Sequence, residues 1–239
     1  MTRIFHKHRQ PLLETVGQSL ILLSLVVAIL YGGGWYPDYG PIISAIIKGS
    51  AVGLLALFVL ISTQTLNHFI LFLALSASVA GDTLLALPIE NSFIKGLTAF
   101  LAAQVLFIFL YVKNRLPLED LSGVRVRAAS LLWAFAAASL YFLYPHLEEL
   151  TVPVFVYTAA LISMATAALL SKFPVKLVGF GALLFVVSDS ILGARQFMTV
   201  PDFTRYIVWG TYYLAELLMM LGVMLTVERR RNFGGYRFD

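Results

Sequence analysis

PIISAIIKGSAVGLLALFVLI, residues 41–61, is an apolar stretch carrying a single charge, Lys48. A hydrocarbon core about 30 Å thick takes roughly 20 residues of apolar helix to cross, so this stretch reads as a transmembrane helix. Seven similar runs follow the same logic: residues 16–31, 69–87, 93–112, 126–144, 152–170, 175–192 and 206–227. None alternates apolar with polar residues as the strands of a membrane β-barrel would. Glycine, proline and asparagine punctuate the gaps, as at Gly32-Gly33-Gly34, Pro88, Asn91, Pro145, Pro174 and Pro201. The expected fold is therefore an all-α integral membrane bundle of about eight helices.

Composition agrees. Of 239 residues, 59% are hydrophobic and 13% charged, against roughly 25% charged in a soluble domain. The mean hydropathy is +0.85. Eight spans with short connections use nearly the whole chain, so residues 1–239 are expected to form one transmembrane domain. The absence of cysteine excludes disulfide and thiolate chemistry. Basic residues precede the first apolar run, but no A-x-A cleavage site follows it, so an uncleaved first span is expected rather than a signal peptide.

The isoelectric point near 9.3 would suit a nucleic-acid partner, but the placement of the charge argues for topology instead. With the N-terminus inside, thirteen basic residues fall in inside segments and three, Lys95, Arg195 and Arg205, outside. Such a bias predicts that both termini of this multi-pass protein, of the bacterial inner membrane or its equivalent, are cytoplasmic.

Four ionisable residues lie within spans: Lys48, Asp82, Asp189 and Glu216. A charge at mid-membrane costs at least about 2.5–3.5 kcal/mol, so each should face the interior and find a partner. At 1.5 Å per residue, Lys48, Asp82 and Asp189 sit roughly 5–10 Å from the outer ends of their spans, with Glu216 and Gln104 nearer the middle. A shared depth is what one polar cavity requires. Structural ion pairing is the simpler reading of one such charge and a weaker reading of four.

The aspartates sit in matching sequence. Val79-Ala80-Gly81-Asp82-Thr83-Leu84-Leu85 aligns with Val186-Val187-Ser188-Asp189-Ser190-Ile191-Leu192, and Ala103-Gln104-Val105-Leu106 echoes Ala215-Glu216-Leu217-Leu218. This spacing suggests two parallel half-repeats, residues 16–112 and 126–227, which would set the aspartates face to face. Ser188 and Ser190 flank one carboxylate and are able to hydrogen-bond it. The histidines, His6, His8, His68 and His146, form no embedded cluster with ligand spacing, so no metal site is expected. There is no G-x-S-x-G and no cofactor motif. Trp35, Tyr36 and Tyr39 suit an outer aromatic belt. On these observations alone a small secondary transporter or proton-coupled carrier using buried acids fits well. An ion-paired structural protein is the third class.

The same residues carry a resemblance. Lys48, Ala80-Gly81-Asp82, Phe93-x-x-Gly96-Leu97-x-x-Phe100, Pro153 through Tyr157 with Met164, Gly181-Ala182-x-x-Phe185-x-x-Ser188-Asp189-Ser190 and Tyr212-Tyr213-Leu214-Ala215 together resemble the YhhN-like lysoplasmalogenase family of multi-pass membrane proteins. The resemblance runs from about residue 48 to 227. It implies an intramembrane hydrolase that cleaves the vinyl ether of a lysophospholipid substrate, an alkenyl-glycerophosphoethanolamine or -choline, to a fatty aldehyde and the glycerophospho-alcohol, without a cofactor. It implies Asp82 and Asp189 as the catalytic acid and its ionised partner, in unspecified order. Lys48, Gln104, Glu216, Ser188, Ser190 and Tyr212 would line the substrate site. Lys48 would hold an aspartate ionised or contact the lipid phosphate. Two positions depart from the family pattern: Gln104 stands where His is common, and Glu216 where Gln is common. Aldehyde release from a lysoplasmalogen separates the hydrolase from a carrier, which moves solute without breaking a bond.

Overall fold

The computed structural model describes residues 11–35 and 40–233. Within them, eight helices are long and apolar enough to cross a membrane. They are α1 (Pro11–Gly33), α2 (Pro41–Ile61), α3 (Leu66–Ala86), α4 (Ser92–Lys113), α5 (Gly123–Leu143), α6 (Thr151–Leu169), α7 (Phe180–Phe197) and α8 (Thr204–Phe233). The chain is an integral multi-pass membrane protein. Short connections alternate the helix directions, so the start of α1 and the end of α8 emerge on the same side. His6, His8, Tyr36 and Tyr39 lie outside the described residues; Trp35 is exposed, as an interfacial tryptophan should be.

Local chemistry sets the helix ends. Pro41 starts α2, where its missing N–H costs nothing. Thr65 caps α3 by accepting from the His68 amide. Leu87 is extended ahead of Pro88, as a residue before proline prefers, and α3 stops there. A π-helical turn, Val175–Gly179, leads from Pro174 into α7. α7 then runs to Phe197, five residues beyond the Leu192 limit read from apolarity. Gly193-Ala194-Arg195-Gln196 continues the helix although it ends the apolar run.

The bundle is apolar outside and selectively polar within. Leu22, Val26 and Ile29 of α1 point outward, whereas Ser24, Ser78, Asp82, Gln104 and Glu216 are buried. That inversion is expected where lipid, not water, is the outer solvent. α8 is central: it packs on α7 and also reaches α1, α2 and α3. Ser24 donates to the Ala51 carbonyl at 2.6 Å and shares a 2.8 Å hydrogen bond with Tyr213, joining α1, α2 and α8. The Trp209 indole donates to the Ala28 carbonyl at 2.8 Å. α3 and α4 approach closely through small residues, the usual device where no hydrophobic force drives helices together. A Cβ on Gly81 would lie 2.6 Å from the Phe100 ring, so only glycine seats that ring there. α5 is peripheral, with Ala129, Leu132 and Ala136 as its buried residues.

On the side of the termini, the α4–α5 connection is pinned to the α6–α7 turn. Leu116 N–H donates to the Leu170 carbonyl, and Lys172 N–H to that of Asn114. Arg125 donates to the carbonyls of Leu169 and Ser171. The opposite side holds the openings described next.

Candidate active site

Asp82 lies four residues before the end of α3, about 6 Å below it. Its side chain is 1% exposed and carries an ion pair with Lys48 of α2 at 3.1 Å. Its second oxygen accepts from the Tyr212 hydroxyl of α8 at 2.6 Å. Two donors, one of them cationic, converge on one carboxylate from two helices. Such charge-assisted bonds make a buried carboxylate tolerable as an anion.

Asp189 of α7 is held differently. The Tyr157 hydroxyl of α6 donates to it at 2.5 Å. Among the described residues the Lys48–Asp82 contact is the only ion pair of side chains, so Asp189 has no cation within pairing distance. Because α7 extends to Phe197, Asp189 lies about 12 Å from the helix end, deeper than the apolar run implied. Phe100 stands edge-on to Tyr212, with ring centroids 5.6 Å apart.

Below the carboxylates sits a second polar group. Gln104 and Glu216 are both 0% exposed, each about 18 Å from the outer end of its helix. Glu216 interacts with Ser78, and Gln104 with Tyr157, but neither pair meets hydrogen-bond geometry. Groups so buried are normally satisfied, which marks this layer as unusual.

Two cavities meet at Asp189. One, about 310 Å³, exposes Lys48, Asp82, Ser188, Asp189 and Tyr212. The other, about 280 Å³, lies among α4, α5, α6 and α7, and Ser139, Tyr157, Thr158, Asp189 and Ser190 form its polar part. Both walls include Leu85, Phe100, Asp189 and Leu192. Among the described residues no group of three or more His, Asp or Glu side chains is placed to hold a metal ion.

The profile of the YhhN family matches residues 43–223, and that segment carries both carboxylates, the whole lining of the apolar cavity and most of the other's. The chain belongs to the YhhN family. Its relatives include a protein of Mycobacterium bovis named lysoplasmalogenase, 36% identical over 152 residues. That alignment covers 62% of this chain and 58% of the mycobacterial protein, so the chain spans less than two thirds of that relative's length. Lysoplasmalogenase TMEM86B of Rattus norvegicus is 29% identical over 206 residues, covering 84% of this chain and 82% of the rat protein. Lysoplasmalogenase TMEM86A of Bos taurus is 28% identical over 222 residues, covering 86% and 87%. No solved structure matches the chain.

In this YhhN chain, Lys48, Asp82, Asp189, Ser188 and Tyr212 come together on one cavity, and Ser190 faces the other. The two serines spend their protons on backbone rather than on a carboxylate. Ser188 donates to the Val208 carbonyl at 2.9 Å, tying α7 to α8, and Ser190 to the Val186 carbonyl of its own helix at 2.7 Å. A serine in an apolar helix satisfies itself this way most readily. Gln104 and Glu216 share a layer but line neither cavity. Sequence reasoning passed over Tyr157 as a site residue, although a tyrosine nearly two turns into α6, at aspartate depth, was the available signal. It also read Arg195 and Arg205 purely as topology; both line the more polar cavity.

Proposed function

We propose that the chain is an intramembrane hydrolase that cleaves the vinyl ether bond of lysoplasmalogens by carboxylate acid–base catalysis. The observation that carries this reading is the unequal support of two carboxylates, Asp82 buried and Asp189 half-buried, on a pair of cavities that meet at Asp189. The names of the mycobacterial and mammalian relatives point to the same substrate class.

Asp189, without a cation partner and facing the apolar cavity, acts as the acid. It gives its proton to the alkenyl carbon β to the ether oxygen, and the electron pair of the double bond forms the new C–H bond. The α carbon becomes an oxocarbenium ion. Asp82, held as an anion by Lys48 and Tyr212, stabilises that cation across the cavity, as paired carboxylates do in glycosidases. Water adds to the α carbon and its proton passes to Asp189. The resulting hemiacetal moves its hydroxyl proton to the ether oxygen and separates into aldehyde and glycerol hydroxyl. One water is consumed, and both carboxyls end as they began. Serine, histidine or metal chemistry is not needed.

Two coarser features belong to the same proposal. The charge bias orients both termini to the cytoplasm, which puts the carboxylates towards the opposite face. The half-repeats gain support from the pairing pattern. Lys48 of the second helix meets Asp82 of the third, and Tyr157 of the sixth meets Asp189 of the seventh. The experiment is direct. Purified protein is mixed with synthetic alkenyl-lysophosphoethanolamine, and aldehyde is read with a coupled dehydrogenase. Stoichiometric aldehyde and glycerophosphoethanolamine are expected. No aldehyde from well-folded protein, with solute moving across proteoliposomes instead, would replace the hydrolase by a carrier.

A further inference from the structure

The two cavities differ sharply where they part. The apolar one is walled by large side chains such as Phe93, Leu97, Phe135, Leu140 and Leu161. One side of it is peripheral α5, which places it against the lipid. The other cavity runs up to the α7–α8 turn and ends at Arg195 and Arg205.

Those arginines stand out against the charge economy of the molecule. Insertion leaves the face opposite the termini poor in basic residues, and the count there is Lys95, Arg195 and Arg205. Two of the three line one cavity. Arg195 is oriented by a 2.6 Å hydrogen bond to Thr204 and a longer one of 3.5 Å to the Pro201 carbonyl, which position its charge without neutralising it. Arg205 donates to the Tyr206 hydroxyl at 2.5 Å and lies over that ring at 4.6 Å. Asp202 interacts with Arg205 at longer range. Among the described residues neither guanidinium is in an ion pair. Lys48, the other cation on the cavity, is already engaged by Asp82. Paired guanidinium forks with spare donors match the oxygens of a phosphate.

We infer that the cavities form one divided binding site for a single-chain lipid phosphate, with the chain in the apolar cavity, the phosphate on Arg195 and Arg205, and the linkage between them at Asp189 and Phe100. This rests on the hydrolase reading for its substrate class. It adds the orientation, and it makes Arg195 and Arg205, rather than Lys48, the head-group contacts. The glycerol carbons then span the boundary that the two cavities share.

Binding of a saturated ether analogue tests this without cleavage. Full-length protein in phosphate-free non-ionic detergent is titrated with hexadecyl-lysophosphocholine, with hexadecylglycerol and with inorganic phosphate. The lysolipid should bind about tenfold more tightly than the alkylglycerol, the worth of a charge-assisted contact, and phosphate alone far more weakly than either. Arg205→Gln and Arg195→Gln together should remove that tenfold advantage and leave alkylglycerol binding unchanged. Arg205 is solvent-exposed and, among the described residues, its side chain donates only to its neighbour Tyr206, so Arg205→Gln alone decides the matter if Arg195→Gln loosens the turn. Ala136→Trp, which fills the apolar cavity, should weaken the hexadecyl lysolipid and spare a short-chain one. Equal affinity for lysolipid and alkylglycerol, indifference to Arg205→Gln, or phosphate binding as tightly as the lysolipid would each overturn the inference. Arginine-dependent binding with no aldehyde from the alkenyl lipid would instead overturn the hydrolase reading and leave the site standing. Aldehyde release with arginine-independent binding does the reverse.

Discussion

Removing the charge of Lys48 while keeping its bulk, as in Lys48→Met, isolates the ion pair that organises the site. At 3.1 Å and an effective dielectric near 20, the attraction is about 5 kcal/mol. Desolvating both charges takes much of that back, so the pair itself contributes little net stability. Breaking it is another matter. Lys48→Met leaves the Asp82 carboxylate at 1% exposure with Tyr212 as its remaining donor, and an uncompensated buried charge costs about 3–5 kcal/mol. Asp82→Asn in the same protein removes that charge, so the double variant should regain most of the loss. At roughly 2–4 °C per kcal/mol for a chain of this length, Lys48→Met should melt about 6–20 °C below the parent. The double variant should come within a few degrees of it. Thermal unfolding in detergent, followed by tryptophan fluorescence or dye-free scattering, completes the cycle. A Lys48→Met protein as stable as the parent, or a loss that Asp82→Asn fails to restore, would refute the claim that Asp82 is held as an anion.

Other consequences are quicker to check. Tyr157→Phe frees the Asp189 carboxyl to rotate, and misplacement of a reacting group on that scale should lower kcat by about 10²-fold with the fold intact; an unchanged kcat would discount Tyr157. Gly81→Ala drives a methyl to 2.6 Å from Phe100, and overpacking of this kind costs about 1–3 kcal/mol. Its melting temperature should fall together with turnover, and Phe100→Leu should relieve both. Prolonged chelation should leave activity intact, and loss of activity restored by zinc alone would mean that a metal bridges the carboxylates. Reporter fusions after Pro88, His146 and Asp202 should read outside the cytoplasm, and those after Lys113 and Arg231 inside; a cytoplasmic signal at Asp202 would mean that a span is misplaced.

Much of this architecture is legible in the chain because lipid imposes a one-dimensional rule. A helix that crosses must be apolar for about 20 residues, so the runs around Lys48, Asp82 and Asp189 reveal both the spans and the exceptions within them. Depth follows from counting, which is why Lys48 and Asp82 were expected at one level and meet there. Which side of a helix faces which neighbour does not follow from counting. Tyr157 is an ordinary residue of an apolar helix until α6 packs on α7 and brings its hydroxyl to Asp189. Arg195 and Arg205 register in a linear tally only as two charges on one side, and it takes the α7–α8 turn to bring them onto a common cavity. The end of α7 was misjudged for a related reason. Helix continues wherever backbone bonds are made, and Gly193 to Gln196 make them beyond the apolar stretch.

The central claim is that Asp189 delivers the proton to the vinyl ether. Asp189→Asn preserves size and the ability to accept from Tyr157 but has no acidic proton to give. The decisive measurement is single-turnover aldehyde release by this variant in protein shown by its melting curve to be folded. Positioned acid catalysis contributes about 10²–10⁴-fold, so the rate should fall by that factor while the saturated ether lysolipid binds as to the parent. A folded Asp189→Asn protein that releases aldehyde at near-parental rate would contradict the account.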